Sequence, residues 1–253
     1  MSAKFKMSYF FAPTNLELDQ DITVTGEEAH HIMNVRRVKV GETIKLQGPD
    51  ERRFRAVVTN VLKRSIELHV DSEVKVPREP RIHIHLFQAC TKEKTIDIIL
   101  QKGTELGVEK IHFFQSENSP QQLLDGRAEK LERWNSIALE ATKQCDRVRA
   151  PEIEIVGDEE QLEELIASMN HFYIAEAGAK KSLTHMASEI PKLLGLSVGI
   201  CIGPEGGLTE PELTFFSKST NAVMAHLGPR TLRASTAAPI AIATIQSILG
   251  DMQ

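Results

Sequence analysis

Cysteines and long apolar runs are both scarce in this chain. Its three cysteines, Cys90, Cys145 and Cys201, are widely spaced among 253 residues and form no CxxC pair. This spacing indicates neither a disulfide framework nor a thiolate zinc site, so all three are expected to be reduced core residues. No segment approaches the roughly 20 apolar residues that cross a bilayer. The N-terminus also lacks the apolar stretch of a secretory signal, so we expect a globular, cytoplasmic protein.

The common cofactor fingerprints are missing as well. The sequence has no GxxxxGK[ST] phosphate loop, no GxGxxG dinucleotide turn and no HExxH zinc motif. A net charge of −5 argues against nucleic-acid binding through bulk positive charge. Three basic groups nevertheless fall within about thirty residues. Each group alone is most simply explained as solvated surface charge, but the three together predict a surface that faces RNA. The groups are Arg36, Arg37 and Lys39, then Arg52, Arg53 and Arg55, then Lys63 and Arg64.

Hydrophobic patterning divides the chain into two parts. Residues 1–74 contain short candidate strands separated by turns, with one candidate helix at 27–35, a spacing typical of a small β-barrel. The polar segment 75–80 has two prolines and is the best candidate linker. In residues 81–253 strands alternate with helices, for example a strand at 81–88, a helix at 94–106 and a strand at 108–115. This alternation predicts an α/β domain with a largely parallel sheet covered on both faces.

Two glycine-bearing loops near the C-terminus carry most of the functional information. Residues 202–208, IGPEGGL, follow the buried-strand pattern at 196–202 and precede a helix start at Thr209. Residues 227–233, LGPRTLR, lie between a candidate strand at 222–227 and an apolar helix at 236–249. Because open α/β sheets bind ligands at the carboxyl ends of their strands, two such loops predict one small-molecule site. Taken alone, GPEGG could be only a tight turn. With the second glycine loop beside it, a ligand site is the better interpretation, because glycines let a ligand such as an adenine edge hydrogen-bond directly to backbone groups.

Further blocks extend the pattern over nearly the whole chain. They are Glu28-Ala-His-His31 with Arg36, Arg37 and Gly41, then Lys92 and Lys94, then residues 101–108 QKGTELGV, then residues 140–144 EATKQ with Arg147 and Pro151. Together with both glycine loops, these blocks resemble, in the same order, the RsmE type of SPOUT methyltransferases.

The resemblance implies a fold and an activity. It implies a PUA-like β-barrel for RNA, followed by an α/β methyltransferase domain with a C-terminal trefoil knot, and a homodimer that completes the site. The implied reaction is S-adenosylmethionine-dependent methylation of N3 of a uridine in the decoding region of 16S rRNA, in the small ribosomal subunit. No membrane and no metal are involved in this interpretation.

The resemblance and the chemistry of the reaction together suggest site residues. Arg233, with Arg230, would stabilise the uracil anion as N3 loses its proton, and Glu205 is the nearest carboxylate, either as a base or as a helix cap. The expected cofactor contacts are Ile202, Gly203, Pro204, Glu205, Gly206, Gly207, Leu227, Gly228, Thr231, Leu232, Arg233 and Thr236. The expected RNA contacts are Arg36, Arg37, Arg52, Arg53, Arg55, Lys92, Lys94, Lys102 and Arg147.

Two departures from the family pattern leave alternatives open. Ser235 stands where the family usually has a glutamate, and Asn118 where it tends to have an arginine. A ribosome-assembly factor that binds RNA but has lost its chemistry, and a SPOUT enzyme acting on another RNA position, are the competing interpretations.

The histidine pairs give a weaker signal. His30 and His31 are adjacent, so on a helix they point about 100° apart and suit no shared metal ion. His83 and His85 alternate with apolar residues and so share one face of a strand, which we interpret as a polar face near an interface.

Overall fold

The computed structural model describes residues 9–120 and 126–252, and these residues form two compact units. The first unit comprises the N-terminal part of the chain up to Arg78 together with Thr142–Arg149. The second comprises Glu79–Ala141 and the chain from Ala150 onward. Residues 1–8, on which the expectation of no secretory signal depends, lie outside the described part.

The first unit is built on a five-stranded sheet. Its strands run in the order β1-β3-β4-β5-β2, with β1 parallel to β3 and the other pairs antiparallel. Irregular pairing between β4 and β5 at Arg55/Ala56 and at Val58/Asn60 bends the sheet, because bulges increase local twist. The bounds are β1 Tyr9–Phe11, β2 Asp21–Thr25, β3 Thr43–Gln47, β4 Arg53–Val61 and β5 Ser65–Val74.

The helix expected at 27–35 has two parts. Helix α1, Gly26–His30, continues directly into a short π-helix, His31–Val35. Its inward residues Ala29 and Ile32 are fully buried and complete the core that the sheet forms around Phe54 and Leu68.

The segment Thr142–Arg149 packs within the first unit, although it is remote in sequence. The Tyr9 hydroxyl donates a hydrogen bond to the carbonyl of Arg147 at 2.8 Å, and the Gln47 amide donates to the carbonyl of Val148 at 2.6 Å. The sequence predicts domains at 1–74 and 81–253, joined by a linker at 75–80. Because each predicted domain is one continuous stretch, that division does not assign residues 142–149 to the first unit. The predicted bounds stay a prediction.

The second unit is a three-layer α/β structure. Its six strands are all parallel and run in the order β11-β9-β10-β6-β7-β8. The strands are β6 His83–Ala89, β7 Lys110–Phe114, β8 Glu152–Ile155, β9 His171–Ala175, β10 Ser197–Ile202 and β11 Ala222–Ala225. The helices are α2 Glu93–Glu105, α3 Arg127–Cys145, α4 Glu159–Ala167, α5 Leu183–Ser188, α6 Glu210–Phe216 and α7 Ala234–Ile248.

Both faces of this sheet are buried. Leu86 and Ile200 belong to an apolar cluster that includes residues of α2, α5 and α7 and Trp134 of α3. Phe87 and Phe172, on the opposite face, belong to a second cluster with residues of α4 and α6. The expected parallel sheet with helices on both faces is confirmed. Within the described residues, no helix has the length and apolar character needed to span a membrane.

Candidate functional site

A pocket of about 270 Å³ lies at the carboxyl ends of three neighbouring strands of the second unit. The end of β9 and the loop after it contribute Ala175, Glu176 and Ala177, and the end of β10 and the loop after it contribute residues 202–208. The loop after β11 contributes Leu227, Gly228, Arg230, Thr231 and Leu232, and the start of α7 contributes Ala234 and Ala237. Both glycine-bearing loops therefore enclose one pocket, at the sheet edge where parallel α/β folds bind ligands.

The first glycine loop is a tight turn held at both ends. The Gly207 N–H donates to the carbonyl of Pro204 at 3.0 Å and closes the turn. Helix α6 then begins with a capping box, in which Thr209 and Glu212 each satisfy a free backbone N–H of the first turn. The loop thus leads directly from a buried strand into a capped helix.

The second glycine loop turns sharply at Gly228. Its φ of +118° is a backbone conformation that residues with side chains rarely adopt, so this turn requires glycine. The Gly228 N–H donates to Nδ1 of His226 at 3.1 Å, which fixes the loop to the end of β11. Helix α7 begins six residues later, with Arg233 as its N-cap.

The pocket contains most of the expected cofactor residues. Arg233 and Thr236 are the two exceptions: both are exposed at the start of α7 and neither lines the pocket. The ten residues that do line it are Ile202, Gly203, Pro204, Glu205, Gly206, Gly207, Leu227, Gly228, Thr231 and Leu232. Their role as cofactor contacts stays a prediction.

Sequence reasoning missed the loop after β9. Strand β9 was not predicted, and neither were β8, α4 and α5. A signal was nevertheless present, because the apolar run at 172–175 is followed by a loop containing Gly178, the same pattern that revealed the other two loops. Glu176 adds a half-buried carboxylate to the pocket.

The carboxylate of Glu205 interacts with residues around the start of α2. Burial raises its pKa, but the hydroxyls of Thr91 and Thr95, its own backbone N–H and the charge of Lys92 outweigh this effect, so the pKa of Glu205 is lowered. The Thr91 Oγ1 is buried and has no hydrogen-bond partner within the described residues. Its effect on the pKa of Glu205 is therefore that of a nearby polar group. This environment keeps Glu205 ionised and makes it a weak base, which favours a positioning role.

The two candidate catalytic arginines differ in position. Arg230 lines the pocket, whereas Arg233 lies three residues further on, at the positive end of α7. Both side chains are exposed, and neither has an ion-pair partner within the described ranges. Both guanidinium groups are therefore free to interact with an anion.

Arg53 corrects one expectation about RNA binding. Its side chain is only 1% exposed, and its guanidinium is paired with Asp146 and bonded to Gln47 Oε1 at 2.9 Å. The guanidinium also lies over the Tyr9 ring, with Cζ 3.9 Å from the ring centroid. Arg53 is a buried structural residue of the first unit, and its assignment to RNA binding is wrong.

The other expected RNA contacts are more accessible. Arg36, Arg37, Arg55, Lys92 and Lys94 are exposed, and none has an ion-pair partner among the residues described. Arg52 is exposed but forms a two-bond pair with Glu73, at 3.0 and 2.8 Å. Lys102 pairs with Glu105, and Arg147 is half-buried.

His85, His112 and Glu154 form a chain of hydrogen bonds across β6, β7 and β8, outside the pocket. His83, on the same strand as His85, bonds instead to Glu109. His85 Nδ1 lies 3.0 Å from His112 Nε2, and His112 Nδ1 lies 2.6 Å from Glu154 Oε1. Because the carboxylate can only accept, His112 donates to Glu154 and His85 in turn donates to His112. Burial, together with the neighbouring His112, lowers the pKa of His85 to about 4.

The described residues indicate neither a reactive Cys90 thiol nor a metal centre. Burial raises the pKa of Cys90 to about 11, so its thiol is not ionised near neutral pH. In residues 9–120 and 126–252, no group of three or more His, Cys, Asp or Glu side chains is placed to hold a metal ion. Cys145 is half-buried rather than fully within the core.

Comparisons with known proteins agree with this architecture. Residues 77–246 match the model of an RNA methyltransferase domain, and residues 24–71 match an RNA methyltransferase PUA domain. The chain is 33% identical to ribosomal RNA small subunit methyltransferase E of Bacillus subtilis, over 94% of each chain. It is 28% identical to the Buchnera aphidicola protein of the same name, over 98% of this chain and 96% of that one.

A solved structure is similar over the full length. The ribosomal RNA small subunit methyltransferase E of Neisseria gonorrhoeae, bound to S-adenosylmethionine, has a TM-score of 0.83 and 29% identity. The similarity covers 98% of this chain and all of that one. The chain therefore belongs to the ribosomal RNA small subunit methyltransferase E family of RNA methyltransferases.

Proposed function

We propose that this protein transfers a methyl group from S-adenosylmethionine to N3 of a uridine in the decoding region of 16S rRNA, within the small ribosomal subunit. The observation that carries the proposal is the pocket formed by both glycine-bearing loops, in a chain of this family. The Neisseria relative, similar over the full length, binds S-adenosylmethionine.

The residues of the pocket suit this cofactor. The first loop presents the backbone of Gly203, Gly206 and Gly207, where no side chain blocks access to N–H and C=O groups. Leu227 and Leu232 supply apolar surface for a planar base. When bound, the cofactor supplies an electrophilic methyl group on a sulfonium. The protein's contribution is to align the reactants, which can lower a barrier by roughly 7–11 kcal/mol in favourable cases.

Arg233 and Arg230 are the proposed catalytic groups. Uracil N3 must lose a proton, and the resulting negative charge spreads over O2 and O4. A guanidinium donates fixed N–H groups to such oxygens, and the N-terminus of α7 adds positive potential beside Arg233. If Arg233→Ala retained full turnover, this assignment would be wrong.

The RNA is proposed to bind through the PUA-type unit. Arg36, Arg37 and Arg55 have exposed charges suited to phosphate contacts. The homodimer, the trefoil knot and the cytoplasmic location are further proposals, which rest on the family. In the sheet, β10 pairs with both β6 and β9, so a late strand of the chain lies between two earlier ones. This strand order supports the proposal of a knot.

The decisive experiment is transfer of labelled methyl groups to small ribosomal subunits that lack the N3-methyluridine mark, followed by nucleoside analysis. We expect label in 3-methyluridine. Label in another nucleoside would favour an enzyme acting on a different RNA position. Binding of the cofactor with no label in any nucleoside would favour an assembly factor.

The second candidate function, an RNA-binding assembly factor without chemistry, is favoured by one residue. Ser235 is half-buried in the first turn of α7, where the family usually has a carboxylate. Ser235→Glu separates the two functions, because methyl transfer that appears only in this variant would identify a decayed site. Equal turnover in both proteins would show that the reaction does not need a carboxylate there.

A further inference from the structure

The turn after β7, Ser116–Ser119, is fixed by hydrogen bonds to the rest of the second unit. The Ser119 N–H donates to the carbonyl of Ser116 at 2.9 Å, and the Ser119 hydroxyl donates to the carbonyl of Cys90 at 2.6 Å. Both serines are buried. The turn is therefore held firmly beside the carboxyl end of β6.

This turn is also bonded to the helix that follows the first glycine loop. Glu212 Oε1 accepts the Glu117 N–H at 2.9 Å, and Glu212 Oε2 accepts the Ser116 hydroxyl at 3.2 Å. Burial raises the pKa of Glu212, but the N–H groups of Thr209 and Glu117 and the Ser116 hydroxyl outweigh it, and the pKa is lowered. An ionised Glu212 thus links the turn to the start of α6.

Asn118 connects the same turn to the glycine loop itself. Its Nδ2 lies 3.0 Å from the carbonyl oxygen of Gly207 and 3.4 Å from that of Gly206. A Cβ added at Gly206 would lie 3.0 Å from the Asn118 Cβ, so the loop backbone packs directly against this side chain. Gly206 and Gly207 line the pocket, whereas Asn118 does not.

We propose that Asn118 is a positioning residue that holds the Pro204–Gly207 turn in its cofactor-binding conformation. Glycine has more conformational freedom to lose than any other residue, so a loop with adjacent glycines is costly to order. Asn118 restrains two carbonyls of this loop before any ligand arrives, and preorganisation of this kind increases affinity. The identity of the cofactor rests on the proposed function; the restraint of the loop does not.

Two variants with a matched control test the inference. Asn118→Ala removes the donors, and Asn118→Asp keeps the shape but replaces the donors with a carboxylate facing two carbonyls. The control is Asn170→Ala. Asn170 Oδ1 accepts the backbone N–H and the hydroxyl of Ser197, at 2.8 and 2.9 Å, at the opposite end of β10. The control therefore removes comparable hydrogen bonds away from the pocket.

Titration calorimetry with S-adenosylmethionine gives the first measurement. Because a hydrogen bond of this kind contributes modestly, we expect Asn118→Ala to weaken binding about 3- to 10-fold, with kcat nearly unchanged at saturating cofactor. At pH 8, Asn118→Asp should weaken cofactor binding at least as much as Asn118→Ala. Near pH 4.5 part of this loss should be recovered, because a protonated carboxyl group can donate a hydrogen bond to the loop carbonyls. Asn170→Ala should leave the affinity unchanged. Equal affinities for Asn118→Ala and the unaltered protein would overturn the inference.

Hydrogen exchange without ligand separates this inference from the proposed function. We expect faster exchange of the amides at 206–208 in Asn118→Ala, and unchanged exchange there in Asn170→Ala. If the unaltered protein did not bind S-adenosylmethionine, the proposed function would fail, while exchange would still decide whether Asn118 restrains the loop. Unchanged exchange in Asn118→Ala would overturn the positioning role even if the cofactor bound.

Discussion

Arg53 and Asp146 form a buried ion pair that joins strand β4 to the segment after α3, within the first unit. The Arg53 side chain is almost completely enclosed, and its remaining N–H groups bond to Gln47 and to the carbonyl of Arg147. Arg52, the preceding residue, forms a pair with Glu73 that is about half exposed on both sides. Neighbouring arginines in one basic group thus have different roles.

We expect Asp146→Ala to destabilise the first unit strongly. Removing one partner of a buried ion pair leaves an uncompensated buried charge, which costs about 3–5 kcal/mol. Glu73→Ala is the matched control, because an ion pair that is open to solvent on both sides contributes little to stability. Native-state hydrogen exchange of the β4 amides measures both effects. Similar protection in the two variants would contradict the structural role of Arg53.

The exposed arginines should account for the salt dependence of RNA binding. Each phosphate contact contributes about 0.7–0.9 to the slope of log affinity against log salt concentration, so Arg36→Ala combined with Arg37→Ala should lower that slope by about 1.4–1.8. Arg52→Ala should lower it less, because Glu73 already neutralises much of this charge. Binding to small-subunit rRNA over a range of salt concentrations provides the measurement. A larger change for Arg52 than for the Arg36 and Arg37 pair would show that Arg52, rather than Arg36 and Arg37, contacts the RNA phosphates.

Arg53 also shows where sequence reasoning reaches its limit. Alternation along a strand predicts which side chains are inward only while the pairing is regular, and here Arg53, Phe54 and Ala56 are all buried around a bulge at Arg55/Ala56. The partner of Arg53 is also 93 residues away, at Asp146, so no local pattern reveals it.

The parallel sheet of the second unit was easier to predict than the side-chain contacts of the first unit. The strands before both glycine loops are short apolar runs that end near a glycine, and helix α7 is rich in alanine and isoleucine, so local patterns are sufficient. Strand β9 has a similar run and was missed, and with it Glu176 in the pocket. The order in which parallel strands pair depends on the packing of the crossover helices, which sequence spacing does not encode.

The hydrogen-bonded histidines should make the protein sensitive to mild acid. The pKa of His85 is about 4 in the folded protein, owing to burial and His112, against about 6.5 when unfolded. The unfolded chain therefore binds the proton more readily, and the stability that neutral His85 provides is complete above pH 6.5 and is lost as pH falls toward 4.

His85→Gln should remove this part of the acid sensitivity. Since the ring is only half-buried and solvent screens part of the effect, we expect the difference in unfolding free energy between pH 7 and pH 4 to shrink by about 1–2 kcal/mol. Urea denaturation at several pH values provides the measurement. His30→Gln, at an exposed position of α1, is the control, and an equal change there would contradict the role of His85.

Glu205→Gln distinguishes a catalytic base from a positioning residue. Loss of a general base usually slows a reaction by about 10²–10⁴-fold. The lowered pKa of Glu205 and its interactions with Thr91, Lys92 and Thr95 predict a smaller effect, because a carboxylate in this environment is a weak base. We expect the single-turnover rate of methyl transfer to fall less than tenfold, with cofactor binding weakened as the loop loses its contacts around the start of α2. Arg233→Ala, measured in parallel, should slow the same step by 10²-fold or more, on the scale of losing one electrostatic donor. A loss of 100-fold or more in Glu205→Gln, with cofactor affinity unchanged, would instead identify Glu205 as the base that accepts the N3 proton.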